Sequence, residues 1–552
     1  MSPNFAAATP NRMSLAASAP ARALIAAVLL IFFAVLFLSL RSNQFTAVDG
    51  ALRCLEVYHH PHIFFHGNNH LLYPVDILAW SKLAGLLGLS EATPTGYMRI
   101  SQGMNCFAAA ATVALLWLLI SSILEDTLVS VLFVAVYAFS RAFLLHATNS
   151  AEPMVGLMYA VAGVLLIRIA VRRANLALVV LSGILMALAL ATYQAMFLAV
   201  AACLWICLFE KSEAGPVSAR ERVSIVLLFL VSCGAAASLL YGLAYSIQGV
   251  PFGWPMLRHF LQIGGGSEIY ARFSVSRFLN FPIGFLDDLA PVVPANYAGL
   301  RSLLHRPHNA GWWAAIAAMG VIVFAPLMMV AVRGLKTLPN WTFRDRCMGA
   351  LGIASVLLVF WPLLYWDPMY DKLWLLPLAI LAAALVYIAR IGHWTGRTRI
   401  LTVFLLLVLT AIELPANLSR AIIDSRSPTV GLPEAVTVMQ IVTPNDGVVT
   451  DFDKISSLYV GYAGSDNAVV LPALNSTTGG PAVTALLEKS QQRHGKLYFL
   501  GILDENEASW NSFLGSRLGI PYGSLDVYRA HSRVVRQFRI DDISLTLRVY
   551  EE

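Results

Sequence analysis

The chain has 552 residues, 58% of them hydrophobic and 13% charged, against about 25% charged in an ordinary soluble protein. Its mean hydropathy is +0.68. Such a chain cannot cover its apolar surface with polar groups and belongs in lipid, which argues against a soluble enzyme, a disordered protein, a secreted disulfide scaffold or a nucleic-acid binder. The formal net charge of +6 is the kind of excess that cytoplasmic loops of a membrane protein carry.

Residues 1–22 form a tail with Arg12 and Arg22 and no acid, so the N-terminus is expected to stay in the cytoplasm. The first apolar run, 23–40, lacks a small-x-small cleavage site at Ser39-Leu40-Arg41-Ser42 and reads as a span, not a signal peptide. About eleven stretches reach the roughly 17 to 25 residues that a crossing requires. They lie at 23–40, 100–124, 128–145, 154–171, 176–191, 193–209, 223–246, 312–332, 348–365, 374–389 and 400–414. The fifth and sixth are short and meet at Thr192-Tyr193-Gln194. They are either two passes or one long tilted helix, and the choice inverts everything downstream.

Alternation from a cytoplasmic N-terminus puts the cations on one side. Arg172-Arg173, then Lys211, Arg220 and Arg222, then Arg333, Lys336, Arg344 and Arg346, then Arg390, Arg397 and Arg399 all fall in predicted inside loops. These loops are short and none holds a GxxxxGK[ST] phosphate cradle. The long polar segments, 41–99, 248–311 and everything after 414, fall outside, in the periplasm of a bacterial cell. Chemistry is expected there, with a donor already activated in the membrane as a lipid phosphate.

The first outside loop carries Asp49-Gly50, Arg53, Glu56 and Tyr58, and five of the chain's twelve histidines within 59–70. His62, His66 and His70 are four apart, but Pro61 and Gly67-Asn68-Asn69 oppose a regular helix through them. Hydrogen bonding to a substrate or headgroup, a polar loop without a role and a metal site are the three readings, in that order. Residues 75–89 read as an interfacial amphipathic helix with Asp76 and Lys82. Asp49 is either an ordinary loop aspartate, with Arg53 one turn on as its partner, or a carboxylate at the membrane surface that takes a proton from an acceptor hydroxyl. Glu152, before Pro153, is either a charge at a helix N-terminus or a second acid converging on the first. Lys372, in the loop 366–374, either neutralises a lipid phosphate, pairs with Asp371 or snorkels to the interface. The segment 248–311 has a basic excess, with Arg258, Arg272, Arg277, Arg301 and Arg306, that points to an anionic ligand.

The spans hold almost no charge: Arg141, Arg168 and Glu413, each near an end. That counts against an ion-coupled transporter. The six cysteines include no CxxC pair. After residue 414 the sequence turns globular. Strands are expected at 446–450, 468–471 and 496–501, with a closing hairpin at 534–540 and 544–549, giving a small α/β domain with a parallel core. Asp451 and Asp453 follow the first strand and read as helix caps.

Taken together, residues 21–415 resemble the GT-C class of membrane glycosyltransferases. The resemblance rests on the cytoplasmic N-terminus, the early acid Asp49 in a long first outside loop, the acid Glu152 in the second, and the segment Leu181-Ser182-Gly183-Ile184 through Ala191-Thr192-Tyr193-Gln194, which is similar to the family's Gly-rich short helix pair. It implies an α-helical polytopic membrane protein of about eleven spans with a C-terminal soluble α/β domain. The domains would be a cytoplasmic tail at 1–22, a transmembrane domain at 23–414 with periplasmic loops 41–99 and 248–311, and a periplasmic domain at 415–552. It implies further that Asp49 is the general base of an inverting transfer from a polyprenyl-phosphate sugar to a hydroxyl of a glycan, lipid or protein, in the inner membrane. Glu152 would orient hydroxyls and Lys372 would stabilise the leaving phosphate. Arg53, His66, Asn69, His70 and Gln194 complete the expected substrate contacts, of which His66, Asn69 and His70 come from the chemistry of the cluster. The family's acidic pair is here Asp49-Gly50, so no metal and no cofactor beyond the donor are expected. A lipid-linked glycan ligase or polymerase is the nearest alternative, and a transporter or flippase the alternative outside the enzymes.

Overall fold

The computed structural model describes residues 18–43, 48–59, 70–89, 93–256 (except 214, 216, 248 and 252), 275–289, short pieces of 311–321, 343–365, 371–391, 396–427, 431–450, 455, 458–460, 468–470, 479–510 (except 505), 521–540 and 543–551. Outside them lie His66, Asn69, Asp451, Asp453, the loop tip 366–370, most of the span 312–332 and the basic residues Arg258, Arg272, Arg301 and Arg306.

Six described helices are long and apolar enough to cross a bilayer. These are α1 (Ala19–Ser39), α4 (Pro94–Leu124), α7 (Glu152–Arg173), α10 (Ala219–Ile247), α12 (Phe343–Tyr365) and α14 (Gly396–Arg426). Between the first two of these lie α2 (Val48–His59) and α3 (Tyr73–Leu86). A seventh span is formed if α5 (Thr127–Phe139) and α6 (Arg141–Ala147) count as one; they meet at 67°. Ser140 sits at that break and its hydroxyl accepts from Phe143 N, starting α6 afresh. Three shorter apolar helices are α8 (Leu176–Thr192), α9 (Val200–Phe209, entered through a 3₁₀ turn at Gln194–Ala199) and α13 (Leu375–Ile391). With α11 (Val275–Leu289), every stretch read from the sequence except 312–332 is found as a helix among the described residues. The molecule is a multi-pass membrane protein.

The short pair is two antiparallel arms. Tyr193 has extended backbone (φ −152°, ψ 109°) and breaks the helix. Its Cβ lies near Gly156, at the start of α7. Glu210, just past α9, reaches Arg168 near the end of α7 at 3.4 Å. The chain therefore climbs beside α7 through α8, turns at Tyr193 and descends through α9.

This pairing defines two ends of the bundle. At one end Ser42 N donates to Thr148 O, Asn43 N to Asp424 O and Leu72 N to Ala191 O, each at 3.0 Å. At the other, Arg168 meets Glu210, Tyr387 and Ser122, Arg172 meets Glu213 and Arg399 meets Asp126. Arg168 and Arg141, two of the three charges seen within the spans, are thus paired, Arg141 with Asp287 of α11.

The interfacial stretch is α3. Tyr73, Ile77 and Ala84 are buried, while Leu83, Leu86, Leu87 and Leu89 are exposed, which suits a short helix lying in the lipid interface. The last span does not end at 414: α14 continues through Pro415 to Arg426. After it come α15 (Leu432–Ile441), β1 (Gly447–Thr450), β2 (Ala468–Val470), α16 (Gly479–Gln492), β3 (Leu497–Leu500), β4 (Ser532–Ile540) and β5 (Ile543–Tyr550). The sheet order is β2-β1-β3-β5-β4, with the first three parallel and the last two an antiparallel hairpin. Val449, Leu497 and Phe499 pack with Val483 and Leu486 of α16 on one face. Val448, Tyr498 and Leu500 pack with Ala435 and Val438 of α15 on the other. Burial on both faces is why these parallel strands read as unbroken apolar runs.

Candidate active site

Asp49 lies in the first turn of α2. Its neighbour Gly50 is fixed by close approach: a Cβ there would overlap the Ser150 carbonyl and stand 3.0 Å from Ala151 N. Only glycine lets α2 rest on the 150–151 backbone. That backbone leads directly into Glu152, the first residue of α7. The two acids named from the sequence are therefore brought together by their backbones, one residue of chain on either side of this contact.

The loop beneath them is held from α4. Asn105 donates to Asn149 O at 2.8 Å and to Ala151 O at 2.9 Å, and Ser150 Oγ donates to Met98 O at 3.1 Å. The Tyr73 hydroxyl lies 2.9 Å from Ser101 Oγ, and the Cys54 thiol donates to Gly50 O at 3.0 Å. All of these side chains are buried, and Glu152 is 2% exposed. Burial pushes the Cys54 thiol up to about 12, with the Glu152 charge adding to it. Burial likewise raises Tyr73 above its ordinary 10.0, helped by Cys54 and Glu152. Both are protonated at neutral pH, so Cys54 is no thiolate nucleophile. Glu152 stands in the first turn of α7, where Ala151 offers no side-chain cap and a helix N-terminus favours an acid.

A second group gathers around Tyr193, whose Cβ would stand 3.2 Å from a Cβ at Gly156, one turn beyond Glu152. The His70 ring stacks on Tyr193 at 5.3 Å and 4°. His70 Nδ1 is 3.3 Å from Thr192 O; a carbonyl only accepts, so the proton sits on Nδ1 and Nε2 is the nitrogen offered elsewhere. The Lys372 ammonium lies 5.8 Å from the Tyr193 ring centre, within the range of a cation–π contact. The Gln194 side chain hydrogen-bonds with the Tyr241 hydroxyl. His70 and Lys372, far apart in sequence, thus meet at the Tyr193 ring, next in the chain to Gln194. Arg53 is half-buried on α2, one turn from Asp49.

Sequence reasoning missed four residues here. Asn105 and Ser101 are polar positions within an apolar span, a signal that was available. Tyr193 was visible only as a turn residue. Asp76 was read as part of an amphipathic face; burial pushes its carboxyl up to about 7, partly offset by the Tyr159 hydroxyl, which donates to Oδ1 at 3.4 Å. Among the described residues no three His, Cys, Asp or Glu side chains are grouped to hold a metal ion.

The fold is shared with two solved membrane-protein structures. A crystal structure of the Archaeoglobus fulgidus oligosaccharyltransferase, in complex with zinc and sulfate, matches with a TM-score of 0.54 at 13% identity, over 91% of this chain and 71% of that one. A crystal structure of ArnT from Cupriavidus metallidurans, bound to undecaprenyl phosphate, matches with a TM-score of 0.52 at 10% identity, over 96% of this chain and 98% of that one. No protein-family model matches the sequence, and no curated protein matches it.

Proposed function

We propose that this protein moves a sugar from a polyprenyl-phosphate donor to a hydroxyl of a glycan, lipid or protein at the extracytoplasmic face of the inner membrane. The observation that carries the reading is the seating of Gly50 on Ser150-Ala151, which sets the Asp49 turn beside Glu152. Asp49 takes the acceptor's proton as its oxygen attacks the anomeric carbon. The bond from that carbon to the phosphate oxygen breaks, its electron pair leaves with polyprenyl phosphate, and a single displacement inverts the centre. Glu152 orients sugar hydroxyls. Lys372, held over Tyr193, neutralises the leaving phosphate, and Arg53, His66, Asn69, His70 and Gln194 contact substrate. The undecaprenyl phosphate bound by the ArnT neighbour supports a lipid-borne donor.

The oligosaccharyltransferase neighbour favours one second reading, a lipid-pyrophosphate oligosaccharide donor. Glycan mass spectrometry of cells with and without the protein tests the first. Loss of one sugar residue from an otherwise intact envelope glycan is expected; loss of a whole oligosaccharide would favour the second, and identical glycans would reject both.

A further inference from the structure

A lysine carries its charge on a long flexible stem, so the place of the ammonium depends on what the stem and head touch. The backbone beneath Lys372 is anchored. It lies in the 3₁₀ turn Asp371–Leu373, two residues before Trp374, which is 1% exposed. The Trp374 ring packs on Phe281 and Phe285 of α11 and on Phe360 of α12. One residue further, the Tyr137 hydroxyl of α5 donates to Leu375 O at 2.8 Å. What remains to be placed is the stem, and its ammonium lies 5.8 Å from the centre of the Tyr193 ring.

That ring is itself firmly seated. Tyr193 N donates to Ala189 O, and Met196 N donates to Tyr193 O, both at 2.9 Å. These bonds fix the extended backbone between α8 and the turn that enters α9. The Tyr193 Cβ faces Gly156 of α7, where a Cβ would come within 3.2 Å of it. The His70 ring, tied through Nδ1 to Thr192 O at 3.3 Å, lies parallel to the Tyr193 ring at 5.3 Å and so opposes its rotation. Tyr193 is buried, and its seat is one turn along α7 from Glu152. An aromatic face attracts an ammonium through its quadrupole and, unlike a carboxylate, brings no negative charge of its own.

We propose that Tyr193 is a positioning residue: its ring sets the place of the Lys372 ammonium, and through it the place of the donor phosphate relative to Glu152. The inference rests on the phosphate role proposed for Lys372 above.

Binding of undecaprenyl phosphate to the purified full chain tests it, with undecaprenol as the control that lacks the phosphate. Tyr193→Phe keeps the aromatic face and is the reference. One, two and three fluorines added to that phenylalanine ring withdraw negative charge from its face at nearly constant shape. They should weaken undecaprenyl phosphate stepwise, by roughly three- to tenfold in all, the scale of a cation–π contact, and leave undecaprenol unchanged. Combined with Lys372→Gln, the same fluorines should have no effect. Level affinity along the fluorine series while Lys372→Gln loses affinity, or a fluorine effect of equal size in the Lys372→Gln background, would overturn the positioning role and leave the phosphate role of Lys372 standing. Undecaprenyl phosphate bound by Lys372→Gln as tightly as by the natural chain would instead reject that phosphate role, and the positioning role with it.

Discussion

The two ends of the helical bundle handle charge differently. At the far end, Arg168 is 1% exposed on its side chain and answers Glu210 at 3.4 Å, with Tyr387 at 3.1 Å and Ser122 O at 3.0 Å completing its donors. Arg172–Glu213 and Arg399–Asp126 repeat the pattern, and Arg222 holds Cys207 O and Glu210 O. At the site end the described contacts of His70 and Lys372 are a carbonyl and an aromatic ring, and the loop before Glu152 is held by amide and hydroxyl groups. The far end spends opposite charges on each other and is a clamp. At the site end, neutral groups fix the backbone that leads into Glu152.

Four substitutions would break or sharpen that contrast. The largest effect is expected from Asp49→Asn, which should slow sugar transfer by roughly 10²- to 10⁴-fold, the usual worth of a general base, with membrane insertion unchanged on fractionation. At the far end, Arg168→Leu leaves Glu210 buried without its partner and should cost about 3–5 kcal/mol of stability. Thermal melts in detergent would show it, and the protein that stays folded should keep its KM for donor. Gly50→Ala forces α2 off the Ser150 carbonyl at about 1–3 kcal/mol; transfer should fall further than the melting temperature indicates, because the two acids separate. Asp76→Asn is expected to leave transfer nearly unchanged and to alter how stability depends on pH. The folded state keeps the Asp76 proton up to about pH 7, against an ordinary 3.8. Stability contributed by this group should therefore decline as pH rises from about 4 to about 7. The Asn variant should lack that slope in melts taken across the range.

Much of the fold was legible because hydrophobicity is a bulk property. Apolar runs located the helices, and the valines at 448–449 and 469–470 located strands buried on both faces. The positions 176–209 were not decidable from composition, since two short passes and one long helix share the same residues. The Arg168–Glu210 pair and the Gly156–Tyr193 contact, both long-range, distinguish them. The site was legible in part. Asp49 and Glu152 stood out as acids flanking spans, but nothing local told that Gly50 and Ser150 touch. His70 and Lys372 are separated by some three hundred residues, and what joins them is the ring of Tyr193, a residue that is unremarkable in sequence. Asp76 looked like one polar position on an interfacial helix because its burial depends on Tyr159 of another span.

The measurement that tests the central claim most directly is sugar transfer by purified protein from a labelled polyprenyl-phosphate donor, comparing the natural chain with Asp49→Asn and Glu152→Gln. Near-complete loss in the first variant and a raised KM in the second, both with unchanged melting temperature, is the predicted result. Transfer by Asp49→Asn at the natural rate would contradict the account.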